Sequence, residues 1–206
     1  WTHRGEGNHY TIYLHVSNDG DILWDVATFW SNYDEGADSR IHRMKIDGTI
    51  IESYDAPGMH HCFVELPDDS ILWASADWDT EVLRMRRPDG TESVVWDCRD
   101  FEYLSPGDWC HSNSVFYRES TNTVLMSFPT GDSFALELDL DTGEVLNWWG
   151  HVRGAWDFDP PQSAFWYQHG LTFTDTGNLL VSSHAGPSTD EGVVREYALD
   201  AEERVL

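Results

Sequence analysis

Apolar and polar residues alternate with a period of two through much of this chain. VLRMRR (82–87) and FALELDL (134–140) are the clearest runs, and that period belongs to strands with one buried face. Between the alternating runs lie short continuous apolar runs: ILWDV (22–26), ILWASA (71–76), VLMSF (124–128) and LLVSS (179–183). Runs of this length bounded by turn residues predict buried strands. Each of the first three alternating runs leads into a tight hairpin, DGT at 47–49, DGT at 89–91 and DTGE at 141–144. Asp and Gly tolerate the positive φ such turns require. Helical periodicity is absent throughout.

The same order of elements recurs in four stretches, Tyr13 to Tyr54, His61 to Cys98, His111 to Trp149, and His169 to the end. Each predicts an inner strand, a turn (NDGD, PDDS, ESTN or DTGN), an apolar strand, an alternating strand, a hairpin and an outer strand. The outer strand ends in aromatics in three of them. A strand meander of about 40–50 residues repeated in this way is a propeller blade. The predicted fold is therefore all-β, a β-propeller of four-stranded blades at about 11–56, 60–98, 111–150 and 168–206, forming a single domain over 1–206. A β-sandwich would explain the alternation but not the regular return of the hairpin. Propellers have about 4–8 blades. A closed four-bladed ring is one solution, but the fourth unit stops short of its outer strand, which favours a six-bladed ring of which this chain is a part. Residues 1–11 would then be left over from a preceding blade or a closing strand. The chain opens on WTHRGEGNHY without Met, which predicts either a removed leader or a piece of something longer.

Composition narrows the function. The net charge is −25, from 37 acidic and 12 basic residues, so a polyanion would be repelled and nucleic acid is excluded as a partner. No apolar run approaches the roughly 20 residues of a membrane helix. The acidic residues sit mainly in hairpins, where solvation explains them, and no DxDxDG-type calcium loop is present. The zinc spacings HExxH and paired CxxC, Gly-rich phosphate loops and the GxSxG elbow are also absent. Three cysteines, Cys62, Cys98 and Cys110, leave at least one thiol unpaired within the chain. Cys62–Cys110 is the expected bridge, because both flank a recurring histidine.

That histidine is the sharpest chemical signal. Leu72 lies eleven residues after His61, Leu180 lies eleven after His169, and His111 takes the corresponding place before a longer turn. Inner strands of a propeller line its channel, so three imidazoles from successive blades would converge there. The plain alternative is a structural histidine copied with the repeat. His60 and His184 are weaker candidates, and His3, His9, His15, His42 and His151 read as surface or packing residues. Asn113, two residues after His111, emerges on the same strand face and can orient an imidazole or bind an anion. Tyr167 and Gln168 precede His169. The insertion 150–168 carries Trp156, Phe158, Phe165, Trp166 and Tyr167, which either wall a pocket for a flat ligand or cover the blade as an apolar lid.

DWCHSNSVFY with NTVLMSF and LDLDTGEVLNWWG, then YQHG with GNLLVSSH, and MHHCFVELPDDSILW before them, resemble the bacterial arylsulfate sulfotransferase family over roughly residues 60–206. The resemblance implies a six-bladed periplasmic or secreted propeller. Such an enzyme moves a sulfuryl group between small phenolic compounds without a nucleotide donor or other cofactor. It implies a transiently sulfated His169, with His61, His111 and Asn113 holding the sulfate oxygens and assisting the leaving phenol. The family carries an Arg where this chain has Pro129, and Arg153 is the candidate replacement. Three readings follow in order: a sulfotransferase with substrate contacts from Asn113, Gln168, Tyr167, Trp166 and Arg153; a metal enzyme (lyase, hydrolase or oxygenase) with His61, His111 and His169 as ligands; and a non-catalytic propeller that binds a partner.

Overall fold

The computed structural model describes residues 11, 13–26, 39–77, 80–104 and 110–206. His3 and His9 lie outside the described residues. The chain divides into two compact units, 1–98 and 99–206. The first holds two antiparallel sheets. One is built from β1 (Leu14–Val16), β2 (Ile22–Val26), β3 (Arg40–Met44) and β4 (Ile50–Asp55). The other is built from β5 (Met59–Glu65), β6 (Ile71–Asp77), β7 (Thr80–Arg86) and β8 (Glu92–Asp97). The second unit holds β9 (Ser114–Arg118), β10 (Thr123–Phe128), β11 (Phe134–Asp139) and β12 (Val145–Gly150) in one sheet. Its other sheet has three strands, β13 (Trp166–Phe173), β14 (Leu179–His184) and β15 (Gly192–Tyr197). Every sheet is a meander of sequential neighbours, one sheet for each repeat. In the last, residues after β15 turn at Asp200–Val205 and pair with the insertion instead of running back as an outer strand: Asp157 N–H donates to the Arg204 carbonyl and Leu206 N–H to that of Asp157, both at 2.9 Å.

The apolar runs form the second strand of each sheet, and their burial explains them. In β10 all six residues are buried, including Leu125, Met126 and Phe128. The first unit packs Leu23, Ile41, Met59, Phe63 and Trp73 into one cluster, with Tyr13 and Tyr54 at its edge. The second packs Leu125, Trp149, Trp156, Phe165, Leu179, Val181 and Tyr197. Hairpin carboxylates are occupied by their own turns. Asp47, Asp89 and Asp139 accept the N–H groups of Thr49, Thr91 and Thr142 at 2.8–2.9 Å. These bonds and those of the Thr hydroxyls hold the three carboxyls below their ordinary range.

The expected Cys62–Cys110 bridge is not formed. Cys98 and Cys110 are disulfide-bonded, whereas Cys62 is buried and takes no part in a disulfide. Cys62 sits mid-strand in β5 close enough to Tyr13 to raise the phenol's pKa alongside the larger effect of burial.

One ion pair ties the two sheets of the first unit. Arg43 of β3 donates to Glu65 of β5 through a short contact, with their side chains 8% and 0% exposed. The second oxygen of Glu65 accepts the Asn18 N–H at 2.7 Å. A buried carboxylate stripped of its guanidinium keeps its desolvation cost, so Glu65 should tolerate joint replacement better than separation. Arg43→Ala is expected to cost about 3–5 kcal/mol in urea unfolding. The double variant Arg43→Met with Glu65→Leu should recover most of that loss.

Candidate functional site

β13 carries His169, and a bulge sets its position. Trp166 pairs with His184 and Gly170 with Ser182, so β13 advances four residues where β14 advances two. Tyr167, inside the bulge, has φ +49°, a region a non-glycine residue enters only when its surroundings impose it. Those surroundings are polar bonds to the neighbouring sheet. Gln168 is fully buried. Its Nε2 donates to the carbonyls of Phe128 (2.9 Å) and Phe134 (2.6 Å), and its Oε1 accepts the Ser133 hydroxyl at 2.7 Å. Ser133 Oγ in turn accepts the Tyr167 N–H at 3.0 Å. The Gln168 carbonyl receives Asn113 Nδ2 at 2.9 Å and Ser127 Oγ at 3.3 Å.

Held this way, His169 is exposed, and its Nδ1 lies 2.8 Å from the Tyr167 carbonyl oxygen. A carbonyl can only accept, so the proton sits on Nδ1 and the neutral ring presents its lone pair on Nε2. The Tyr167 ring stands beside His184, with centroids 5.4 Å apart. Trp166 stacks on His151 at 3.6 Å. His151 donates through Nε2 to the Phe165 carbonyl at 3.0 Å, and burial lowers its pKa against the opposing pull of that bond and of Asp132.

The other expected site residues of this unit separate into groups. Asn113 is buried and engaged at both ends of its amide, with Oδ1 accepting Ser127 Oγ at 2.7 Å. It clips the entry of β9 to β13. His111 is buried in the irregular stretch before β9, three residues ahead of Ser114, whose ladder partner is Ser127. Arg153 is exposed, donates to the Glu102 carbonyl at 3.2 Å and lies over the Tyr103 ring. Pro129 is buried directly after Phe128, whose ring stacks on Phe134. Of the insertion's aromatics, Trp156 and Phe165 are core residues and Phe158 packs against them. Of those five, Trp166 pairs at the edge of the bulge and Tyr167 lies inside it.

In the first unit β5 carries a matching bulge. Met59 pairs with Ser75 and Phe63 with Trp73. His61 is four residues before Glu65, the partner of Ile71, as His169 is four residues before Phe173, the partner of Leu179. The shared register therefore holds for His61 and His169, while His111 lies outside the ladder of its sheet. Gly58 precedes this bulge with φ +72°, where a Cβ would meet the Ala76 carbonyl oxygen at 2.4 Å. The buried His60 has Nε2 3.2 Å from Glu81 Oε1, and its Nδ1 meets Nδ1 of His61.

Ser127, Ser133 and Glu81 escaped the sequence reading. A signal for the first was available, because each of three apolar strands carries a buried serine, Ser75, Ser127 or Ser183. A serine within an apolar run points to a specific acceptor.

No family model matches this chain, and no curated protein matches it. Solved structures do. A protein of unknown function from Bacteroides caccae aligns with a TM-score of 0.63 at 12% identity, covering 98% of this chain and 68% of its own. A candidate gluconolactonase aligns at 0.52 and 15% identity, covering 96% and 67%. A candidate 6-phosphogluconolactonase from Bacteroides fragilis aligns at 0.54 and 13%, covering 95% and 52%. The chain thus spans about two thirds of the first two and half of the third. At these identities the likeness shows the fold, and the fold is an all-β propeller.

The bulge makes its own prediction. Gln168→Leu leaves two carbonyls and a hydroxyl buried without their partner, and is expected to destabilise the protein by about 3–5 kcal/mol in urea unfolding. Gln162→Leu, at an exposed position, should leave the unfolding midpoint where it is.

Proposed function

We propose that this chain carries the reactive centre of a group-transfer propeller enzyme. In it, Nε2 of His169 is the nucleophile, and the transferred group is the sulfuryl group of an aryl sulfate. The observation that carries the reading is the hydrogen bond from Nδ1 to the Tyr167 carbonyl on an exposed ring. It selects the tautomer whose lone pair is on Nε2, and a neutral imidazole so oriented is a competent nucleophile. The sequence motifs around His111, Asn113 and His169 supply the sulfuryl specificity.

In the proposed cycle Nε2 attacks sulfur, the bond from sulfur to the aryl oxygen breaks, and the phenolate leaves with its electron pair. His111, two residues from the Asn113 clip, is proposed to protonate it. A second phenol then attacks sulfur, the sulfur–nitrogen bond breaks, and its proton returns to His111. One site suffices for both half-reactions and no cofactor is called for. With Pro129 in place of the family's Arg, charge on the sulfuryl oxygens has to be met by neutral donors, which predicts slower transfer than a guanidinium would support. Tyr167 and Trp166 are proposed to face the aromatic ring.

A periplasmic or secreted setting accompanies this reading, and disulfide-bonded Cys98 and Cys110 suit it. We also propose a six-bladed ring, since four blades would fill about two thirds of it, the share of the two candidate structures this chain spans. A second reading takes its substrate from the names of the lactonase candidates. In it the same Nε2 acts as a base on water attacking a lactone carbonyl.

Brief incubation with excess 4-nitrophenyl sulfate, followed by intact mass and peptide mapping, separates the two. The sulfuryl reading expects one sulfuryl group on the peptide containing His169 and none in His169→Gln. No adduct, together with His169-dependent opening of a lactone, would replace it with the hydrolytic reading. Neither signal would overturn both.

A further inference from the structure

The first unit contains a cavity of about 340 Å³ that the reading of His169 does not use. Ile71, the ladder partner of Glu65, lines it, which puts it at the end of β5 opposite the Met59–Phe63 bulge. Pockets for small molecules begin at about this volume, and most are apolar. This one is walled by charge. Arg43, Lys45, Arg86 and Arg87 line it, four of the 12 basic residues in a chain of net charge −25. Asp19, Asp21, Glu52 and Asp69 line it as well, so the two signs are present in equal number.

Two of these groups are buried and fixed. The side chains of Arg43 and Asp21 are each 8% exposed. Arg43 is held by Glu65, and Asp21 accepts Lys45 Nζ at 2.8 and 3.0 Å. The others keep bonding capacity. Arg87 is exposed, donates from Nη1 to Ser93 Oγ at 3.2 Å, and forms no ion pair among the described residues. Arg86 uses Nη1 on Glu92 and on the Gly90 carbonyl, and its guanidinium lies 5.6 Å from the centroid of the Tyr54 ring, so the two sheets meet at the cavity. Tyr54 donates to Glu52 Oε2 at 2.6 Å, which leaves Oε1 to accept from a ligand. Asp69 receives Asn18 Nδ2 on Oδ1 at 3.3 Å, which leaves Oδ2.

The mixture of signs selects the ligand. An anion would meet four carboxylates and a cation four basic groups, so neither gains much from the wall. A zwitterion needs the signs on separate walls. Here Glu52 and Arg43 come from one sheet, Asp69 and Arg87 from the other, and each wall carries both signs. A hydroxyl donates one hydrogen and offers two lone pairs, so it can accept from a guanidinium while it donates to a carboxylate. We propose that this cavity binds a neutral polyhydroxylated ligand, a sugar unit, whose hydroxyls accept from Arg86 and Arg87 and donate to Glu52 and Asp69. Ile51 and Pro88, both exposed and in the lining, offer apolar contact to the C–H face of the ring. This inference concerns the first unit and does not rest on the reading of His169, whose test is separate.

The test is saturation-transfer NMR on the whole chain with glucose, galactose, mannose and arabinose, each as the free sugar and as the non-reducing end of a disaccharide. Sulfate, glycine and putrescine serve as charged competitors. At least one sugar is expected to receive saturation, the free form alone if the ligand is a monosaccharide and the disaccharide as well if it is a glycan terminus. Its affinity should fall about tenfold in Arg87→Gln and in Glu52→Gln, since each removes a hydrogen bond to a charged group. Both positions are exposed, so the unfolding midpoint should stay where it is. Binding of a neutral ligand should change little between about 0.05 and 0.5 M salt, and His169→Gln should bind as the unaltered protein does. Silence from every sugar would overturn the proposal. So would sugar binding that both cavity variants leave unchanged, or that His169→Gln abolishes. Displacement of the sugar by a charged competitor at equal concentration would replace it with an ionic ligand.

Discussion

The arrangement of the second unit depends on one buried amide. Gln168 sits in the middle of a bulge that would otherwise leave an exposed, strained turn of strand, and both ends of its side chain are spent on the neighbouring sheet. A β-bulge frees backbone groups from the ladder, and buried groups of that kind need other partners. Here the partners are Ser133, Ser127, Asn113 and Gln168 itself. Because these bonds hold residues 167 and 168, the next residue has little choice of direction. His169 emerges at the surface of the bulge with its Nδ1 turned back on its own strand. The polar network and the imidazole's orientation are one feature.

The first unit solves a comparable problem with charge. Its inner strand β5 has the same four-for-two bulge, and buried carboxylates flank it: Glu65 with Arg43 at one end, Glu81 with His60 at the other. Buried charges persist where partners and hydrogen bonds compensate desolvation. In a chain with 37 acidic and 12 basic residues, most carboxylates are left to solvent and hairpin turns. The few that are buried are met specifically: Glu65 by Arg43 and Asp21 by Lys45, Asp25 by the Tyr13 N–H, and Glu137 by the Thr123 hydroxyl and the Asn147 amide.

The sheets were legible in the sequence because strands with one buried face impose period two, and the recurring DG hairpins divide the meander. The register of His61 and His169 was legible for the same reason: each sits a fixed number of residues from a hairpin. The ladder position of His111 was not legible, because its spacing was counted to an apolar run and the ladder begins only at Ser114. The outer strand missing from the last repeat was visible as a short tail, but not the pairing of that tail with Asp157. Aromatics of the insertion could be read as lid or wall with equal right. The distinction depends on which rings reach the cluster around Trp149, and periodicity carries no information on that. Gln168 read as a ligand contact because a polar residue beside a candidate nucleophile looks functional. Its burial and five bonds are tertiary facts. Cysteine spacing likewise could not show that Cys62 faces the core while Cys98 and Cys110 are oxidised.

On the proposed reading, the strained Tyr167, the saturated Gln168 and the exposed His169 together present one nitrogen lone pair. Strain held by a network at an exposed imidazole is the pattern expected of a reactive site. The most direct test is the ring-nitrogen spectrum of His169 in the unaltered protein at neutral pH. The account predicts a protonated, hydrogen-bonded Nδ1 and a bare Nε2. A bare Nδ1 with the proton on Nε2 would mean that the Tyr167 carbonyl does not set the tautomer, and the assignment of His169 as nucleophile through Nε2 would be lost.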